Sequence, residues 1–239
     1  LGVAFDHISL SVLPLAMLAC ALATWLSSLA VPDIATATRR DASHGFREIL
    51  RRPAVWTFFA AHFLLLLSHA PYYTFYSIHL ESHGYSRTEI GWLWGLGVGA
   101  EVLMFLVMHK VLPRTGEPRM LLWSLLLSAL RWVLIGFGAD LPAVIWLAQL
   151  LHAASFATFH AAAMVVIFRH FGDGHQGQGQ AVYSMLWGVG VALGSWVAGA
   201  VWSVATAPWI FSVAALLCLL AWVLLHQAGT KASAPASRA

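Results

Sequence analysis

Long apolar runs separated by short polar connectors dominate the chain. Seven runs are long enough to cross a hydrocarbon core of roughly 30 Å as helices, which takes about 20 residues each. They extend from Ser11 to Ala30, Ala54 to Tyr76, Glu89 to His109, Met120 to Ala139, Leu141 to Phe168, Ala181 to Val204 and Pro208 to His226. The third and sixth carry many glycines, yet both are too long and too apolar for loops. Val31–Pro53 is the longest polar connector, the stretch from Arg169 to Gln180 reads as a loop, and Ala139–Pro142 is a tight turn. The Ala/Ser/Pro-rich end, Gly229–Ala239, is expected to be a disordered tail. The pattern predicts an all-α polytopic membrane protein with seven transmembrane helices, divided at residues 1–30, 31–53, 54–228 and 229–239.

Composition agrees with this pattern. Hydrophobic residues make up 60% of the 239 positions and charged ones 10%, against about 25% charged in an ordinary soluble domain; the mean hydropathy is +0.76. A formal charge of +3 implies no nucleic-acid partner, because the basic residues flank the spans. Arg39, Arg40, Arg47, Arg51 and Arg52 lie in one connector, Lys110, Arg114 and Arg119 two connectors on, then Arg169, then Lys231 and Arg238 in the tail. The intervening connectors carry Arg87 alone. Eleven basic residues against one place the first set in the cytoplasm by the positive-inside rule, so the chain starts outside and ends inside. Cys20 and Cys218 both fall in apolar runs and suggest no disulfide framework. Asp6 and His7 stand where a signal peptide would have a basic start, and the chain opens at Leu1 as though cut from something longer.

Two charges lie inside spans, Glu101 in the third and Arg131 in the fourth. A buried intramembrane charge costs a few kcal/mol unless it finds a partner or a water-filled cavity. At 1.5 Å per residue from the outer ends, Glu101 lies about 20 Å deep, Arg131 about 12 Å and His152 of the fifth span about 17 Å. A Glu101–Arg131 pair between sequential antiparallel helices is feasible. A Glu–Arg–His cluster at this depth suits proton coupling, since the carboxylate can take a proton, Arg favours its ionised form and His can relay or bind. The same three residues would also serve as a structural ion pair with a packing histidine. His62 and His69 share a face of the second span beside Tyr72, Tyr73 and Tyr76, a grouping that could line a cavity for a polar or aromatic solute or belong to an interfacial belt. Gly91, Gly95 and Gly99 on the third span, and Gly190 and Gly194 on the sixth, recur every four residues and would serve helix packing or gating. His79, His83, His109, His170, His175 and His226 read as interfacial or loop residues.

The stretch HAPYYTFYSIHLESHGYSRTEIGWLWGLGVGAEVLMF, from His69 to Phe105, resembles the start of the second half of major facilitator superfamily proteins of the phenylpropionate-permease type, relatives of lactose permease and the nucleoside–proton symporters. ALRWVLIG, Ala129 to Gly136, resembles their ninth helix, and PRTGEPR, Pro113 to Arg119, a degraded form of their basic loop between helices eight and nine. The resemblance implies that the chain covers helices 6–12 of a twelve-helix carrier, with residues 1–30 as helix six, 31–53 as the central cytoplasmic loop and 54–228 as the C-terminal half. It implies a bacterial inner-membrane protein that is a monomer when complete, with the preceding helices of the same carrier as its partner. It also implies transport and proton-coupling roles for Glu101, Arg131 and His152. The chain departs from the lactose-permease pattern in having Ser155 and Phe156 where an acidic residue follows the histidine. It has His62 and His69 where that pattern has aspartates in helix seven.

These features point to secondary active transport of a small organic solute, an aromatic carboxylate such as 3-phenylpropionate, by proton symport. Sugar or nucleoside symport is the alternative within transport. A membrane haem protein, with His62 and His69 facing His152 and His160, or a non-transporting scaffold, is the alternative of another class. No enzyme activity, cofactor or metal is expected.

Overall fold

A computed structural model describes residues 13–30 and 43–233. Eight helices run through them: α1 (Leu13–Ser28), α2 (Ser43–Arg51), α3 (Pro53–Ser82), α4 (Arg87–Thr115), α5 (Glu117–Phe137), α6 (Pro142–Gly172), α7 (Gly174–Trp202) and α8 (Ala207–Ser233). Six of these, α3 to α8, are long and apolar enough to cross a membrane. The first segment, expected from Ser11 to Ala30, forms a helix of 16 residues, shorter than a full span, exposed at nearly every described position. Arg39, Arg40 and Arg238 lie outside the described residues.

Local chemistry sets the boundaries. Prolines 53, 118 and 142 open α3, α5 and α6, where a missing N–H costs nothing. A capping box starts α4: the Glu89 amide donates to Ser86 Oγ and the Ser86 amide to the Glu89 carboxylate, at 3.2 and 2.8 Å. Two parts of the expected connectivity change. The polar connector contains the amphipathic α2, whose Phe46 packs on Phe171 with ring centroids 6.0 Å apart. The loop expected from Arg169 to Gln180 is helical almost throughout, because Gly172 alone absorbs the break between α6 and α7 at φ 55° and ψ −167°, a conformation only glycine adopts freely. At the far end α8 continues to Ser233, into the segment expected as a tail, and residues 234–239 lie outside the description.

The core forms around α3. It packs against α7 and α8, while α5 packs along α8 and α4 along α6. Apolar side chains gain little by leaving lipid, so close backbone approach does much of the work. Gly190 and Gly194 supply it: a Cβ at Gly190 would sit 2.9 Å from Leu66 Cβ, and one at Gly194 would sit 2.6 Å from Ala70 Cβ and 2.9 Å from the Leu67 carbonyl oxygen. On α4 the pattern differs from the one expected. Gly95 and Gly99 have no neighbouring atom within 4 Å of such a Cβ, whereas Gly97, outside the four-residue repeat, faces Gln149 Oε1 at 3.2 Å. Helix phase explains this: positions 93 and 97 turn inward and 95 and 99 outward. His79, expected at the interface, is instead buried and donates through Nε2 to the Ile135 carbonyl at 3.1 Å, and the Tyr85 hydroxyl donates to the Ala139 carbonyl at 2.9 Å. These bonds tie the ends of α3 and α5 together.

The spacing at Gly194 makes a specific demand. Gly194→Ala is expected to lower stability by about 1–3 kcal/mol through overpacking, read as a fall in the thermal unfolding midpoint of detergent-solubilised protein. Gly95→Ala is expected to leave the midpoint unchanged or slightly higher.

Candidate functional site

Four helices bring their polar residues to one place. On α5, Ser124 and Ser128 bond back to carbonyls of their own helix; the next inward position on that stripe is Arg131, which no solvent reaches. Its Nε donates to the Ala148 carbonyl at 2.9 Å and its Nη2 to Gln149 Oε1 at 3.2 Å, both on α6. The guanidinium carbon lies 4.0 Å from the centroid of the Tyr72 ring and 4.8 Å from that of Trp132. Aromatic faces attract a cation most strongly where it is desolvated. Tyr72 also donates its hydroxyl to Gln149 Oε1 at 3.1 Å. Gln149 therefore accepts from both Arg131 and Tyr72.

The pair that was feasible from sequence, Glu101 with Arg131, is not formed as a direct contact. Among the described residues no carboxylate lies within 4.0 Å of the Arg131 nitrogens, and Glu101 Oε2 lies 3.6 Å from His152 Nε2. The reason is directional: Arg131 turns into the seam between α3 and α6, where Ala148, Gln149 and the Tyr72 face surround it, whereas Glu101 stays partly open with its side chain 19% exposed. Beside the Glu101–His152 pair lies a cavity of about 420 Å³. Its walls are aromatic, from Tyr72, Tyr73, Trp94, Phe156 and Trp187, with Val98 and Val191. Glu101 and His152 are the ionisable side chains on its lining apart from the two tyrosines. A pocket that is mostly apolar with a few convergent polar groups is the usual form of a small-molecule site. A larger cavity, near 730 Å³, lies at the other end of α3, where Arg169 is already taken by an ion pair with Glu117.

The residues grouped from sequence as a cavity separate into three places. Tyr72 and Tyr73 line the cavity. Tyr76 and His69 are fully buried behind it: Tyr76 packs edge-on to Trp94 at 5.5 Å, and His69 packs edge-on to Trp132 at 4.8 Å with Nδ1 donating to the Leu65 carbonyl at 2.8 Å. His62 lies apart, stacked on Tyr183 at 3.8 Å and donating through Nε2 to the Tyr183 carbonyl at 3.1 Å, with His160 3.1 Å from the Tyr183 hydroxyl. Gln149, Tyr183 and Ser68 were not anticipated. Ser68 accepts from Trp132 Nε1 at 3.2 Å and from Cys218 at 3.1 Å. Gln149 carried a readable signal, a polar amide in an apolar run three residues before His152, hence on the same helix face.

The sequence profile described as the MFS_1 like family matches residues 1–213. The chain belongs to this family, within the major facilitator superfamily. A "Probable 3-phenylpropionic acid transporter" from Escherichia coli (strain K12) is 40% identical over 129 residues, 54% of this chain and 34% of the relative. The chain therefore covers about a third of that relative's length. As a member of this family it is an all-α, multi-pass membrane protein with part of the superfamily fold.

For the stability of this cluster the Tyr72 ring is expected to matter more than its hydroxyl. Tyr72→Phe, which keeps the face under Arg131 and loses one bond to Gln149, is expected to cost about 0.5–1.5 kcal/mol. Tyr72→Ala, which also empties a packed position, is expected to cost about 3–5 kcal/mol. Thermal unfolding of the two variants side by side measures the difference.

Proposed function

We propose that the chain is part of a secondary active carrier for a small organic anion, an aromatic carboxylate such as 3-phenylpropionate, moved by proton symport. The observation that carries this reading is Arg131: a fully buried cation held by two carbonyl oxygens and two aromatic faces rather than by a carboxylate, behind the Tyr72 wall of an aromatic cavity. A buried guanidinium with neutral partners retains most of its attraction for an anion, and a low-polarity surround strengthens that attraction. The five aromatic rings around the cavity suit a phenyl group. The printed name of the 40% identical relative supports the same substrate class.

In this reading Glu101 carries the proton. Ionised, it pairs with His152; protonated, it loses that pair and the contact between α4 and α6 weakens. A proton can bias a conformational equilibrium only through such a difference between states. The exposed faces of α4 and α7 would be covered by the preceding half of the same carrier, which is a monomer when whole. The basic residues near α2, Arg114, Arg119 and Arg169 would lie on the cytoplasmic side of a bacterial inner membrane.

The test uses the carrier expressed from its full open reading frame and reconstituted in proteoliposomes. Labelled 3-phenylpropionate is expected to accumulate under an inward proton gradient. Glu101→Gln is expected to reduce gradient-driven accumulation at least tenfold while leaving exchange of labelled for unlabelled substrate. Accumulation unchanged by Glu101→Gln would remove the proton role. No uptake by correctly inserted protein would remove the aromatic carboxylate in favour of a sugar or nucleoside.

A further inference from the structure

The amide of Gln149 is held in one sense only. Its Oε1 faces two donors, Arg131 Nη2 at 3.2 Å and the Tyr72 hydroxyl at 3.1 Å, while the arginine can only donate. Turned the other way, the amide would set its own N–H groups against the guanidinium. The oxygen therefore occupies a donor pair, one cationic and one phenolic, of the kind that recognises a carboxylate oxygen. Three further polar atoms in the same cluster are buried without a hydrogen-bond partner: Arg131 Nη1, Gln149 Nε2 and the Tyr76 hydroxyl. All three can donate, and Arg131 and Gln149 are themselves fully buried. Buried donors without acceptors are costly and uncommon. Gly97 completes the geometry, because a side chain there would meet Gln149 Oε1 at 3.2 Å and His152 at 3.6 Å.

We propose that the Gln149 carbonyl oxygen competes with the transported carboxylate for the Arg131 guanidinium and the Tyr72 hydroxyl, which makes Gln149 the residue that sets how tightly this site holds an anion. The inference rests on the reading of Arg131 as the anion-binding group and adds a residue and a mechanism to it. An amide is suited to the task. Its oxygen is a weaker acceptor for a guanidinium than a carboxylate, so an incoming anion displaces it. A half-turn of the amide then presents Nε2 as a donor to the same anion without moving the helix. Because the oxygen bridges Arg131 and Tyr72, the guanidinium is kept in place over the Tyr72 ring until the exchange occurs.

Two near-isosteric substitutions test this in opposite directions. Gln149→Glu places a fixed carboxylate on Arg131, so it is expected to raise the thermal unfolding midpoint of the purified protein at neutral pH and to raise the KM for 3-phenylpropionate uptake at least tenfold. Gln149→Met removes the acceptor altogether. It is expected to lower the midpoint, and to raise KM less than Gln149→Glu does. A residue that only packs would lose stability and uptake together in both variants. A midpoint for Gln149→Glu at or below that of Gln149→Met would overturn the proposal whatever the substrate. A wild-type KM in Gln149→Glu would overturn it as well. Absence of aromatic-acid uptake by the wild-type carrier would count against the functional reading, while the stability comparison still decides the role of Gln149.

Discussion

Arg131 is a permanent charge in the part of the bundle least able to tolerate one, and much of the surrounding structure answers that constraint. Left alone in an apolar interior, a guanidinium costs several kcal/mol even after relaxation. Here α6 turns the Ala148 carbonyl and the Gln149 amide toward it, α3 lays the Tyr72 ring beneath it, and Trp132 covers it from its own helix. Each of those partners is fixed in turn. Tyr72 is tied to Gln149, Trp132 to Ser68, and Ser68 to Cys218 of α8. One charge thereby links α3, α5, α6 and α8.

The same linkage separates rigid from adaptable surroundings. Behind Arg131, α3 packs closely on α7 at Gly190 and Gly194 and is bonded to the end of α5 by His79 and Tyr85. In front of it, α4 meets the cluster more loosely: Glu101 reaches His152 across 3.6 Å, longer than a good charge-assisted bond. A π turn at Ala153–Ala157, immediately after His152, interrupts the regular hydrogen bonding of α6 at the same depth. Such bulges are frequent at functional sites. The loosest contacts of the cluster thus adjoin the cavity, where a solute and a proton would have to act.

Most of the fold was legible because a bilayer imposes length and polarity on every span. The six spans from α3 onward follow directly from runs of about 20 apolar residues, and Glu101, Arg131 and His152 stood out because charge is scarce there. Partner identity was less legible. Sequential antiparallel helices made Glu101 with Arg131 feasible, but adjacency does not fix direction, and Arg131 points toward α3 and α6 instead. The glycine repeat on α4 misled for a related reason: a four-residue spacing marks one face of a helix without saying whether that face meets a neighbour, and the buried glycine is Gly97. Gln149 was passed over because an uncharged amide raises no alarm in a hydropathy pattern, although its carbonyl oxygen is what Arg131 and Tyr72 share. Tyr183 was unremarkable in sequence for the same reason, since only the packing of α7 on α3 sets it against His62.

The central claim is that Arg131 gives this site its attraction for an anion. The most direct measurement is binding of 3-phenylpropionate and of its neutral amide, 3-phenylpropanamide, to the purified protein, followed by quenching of fluorescence from tryptophans such as Trp94 and Trp187 that line the cavity. The account predicts that the carboxylate binds at least tenfold more tightly than the amide and that Arg131→Met brings the two close together. Equal affinity for both compounds in the unaltered protein would contradict it.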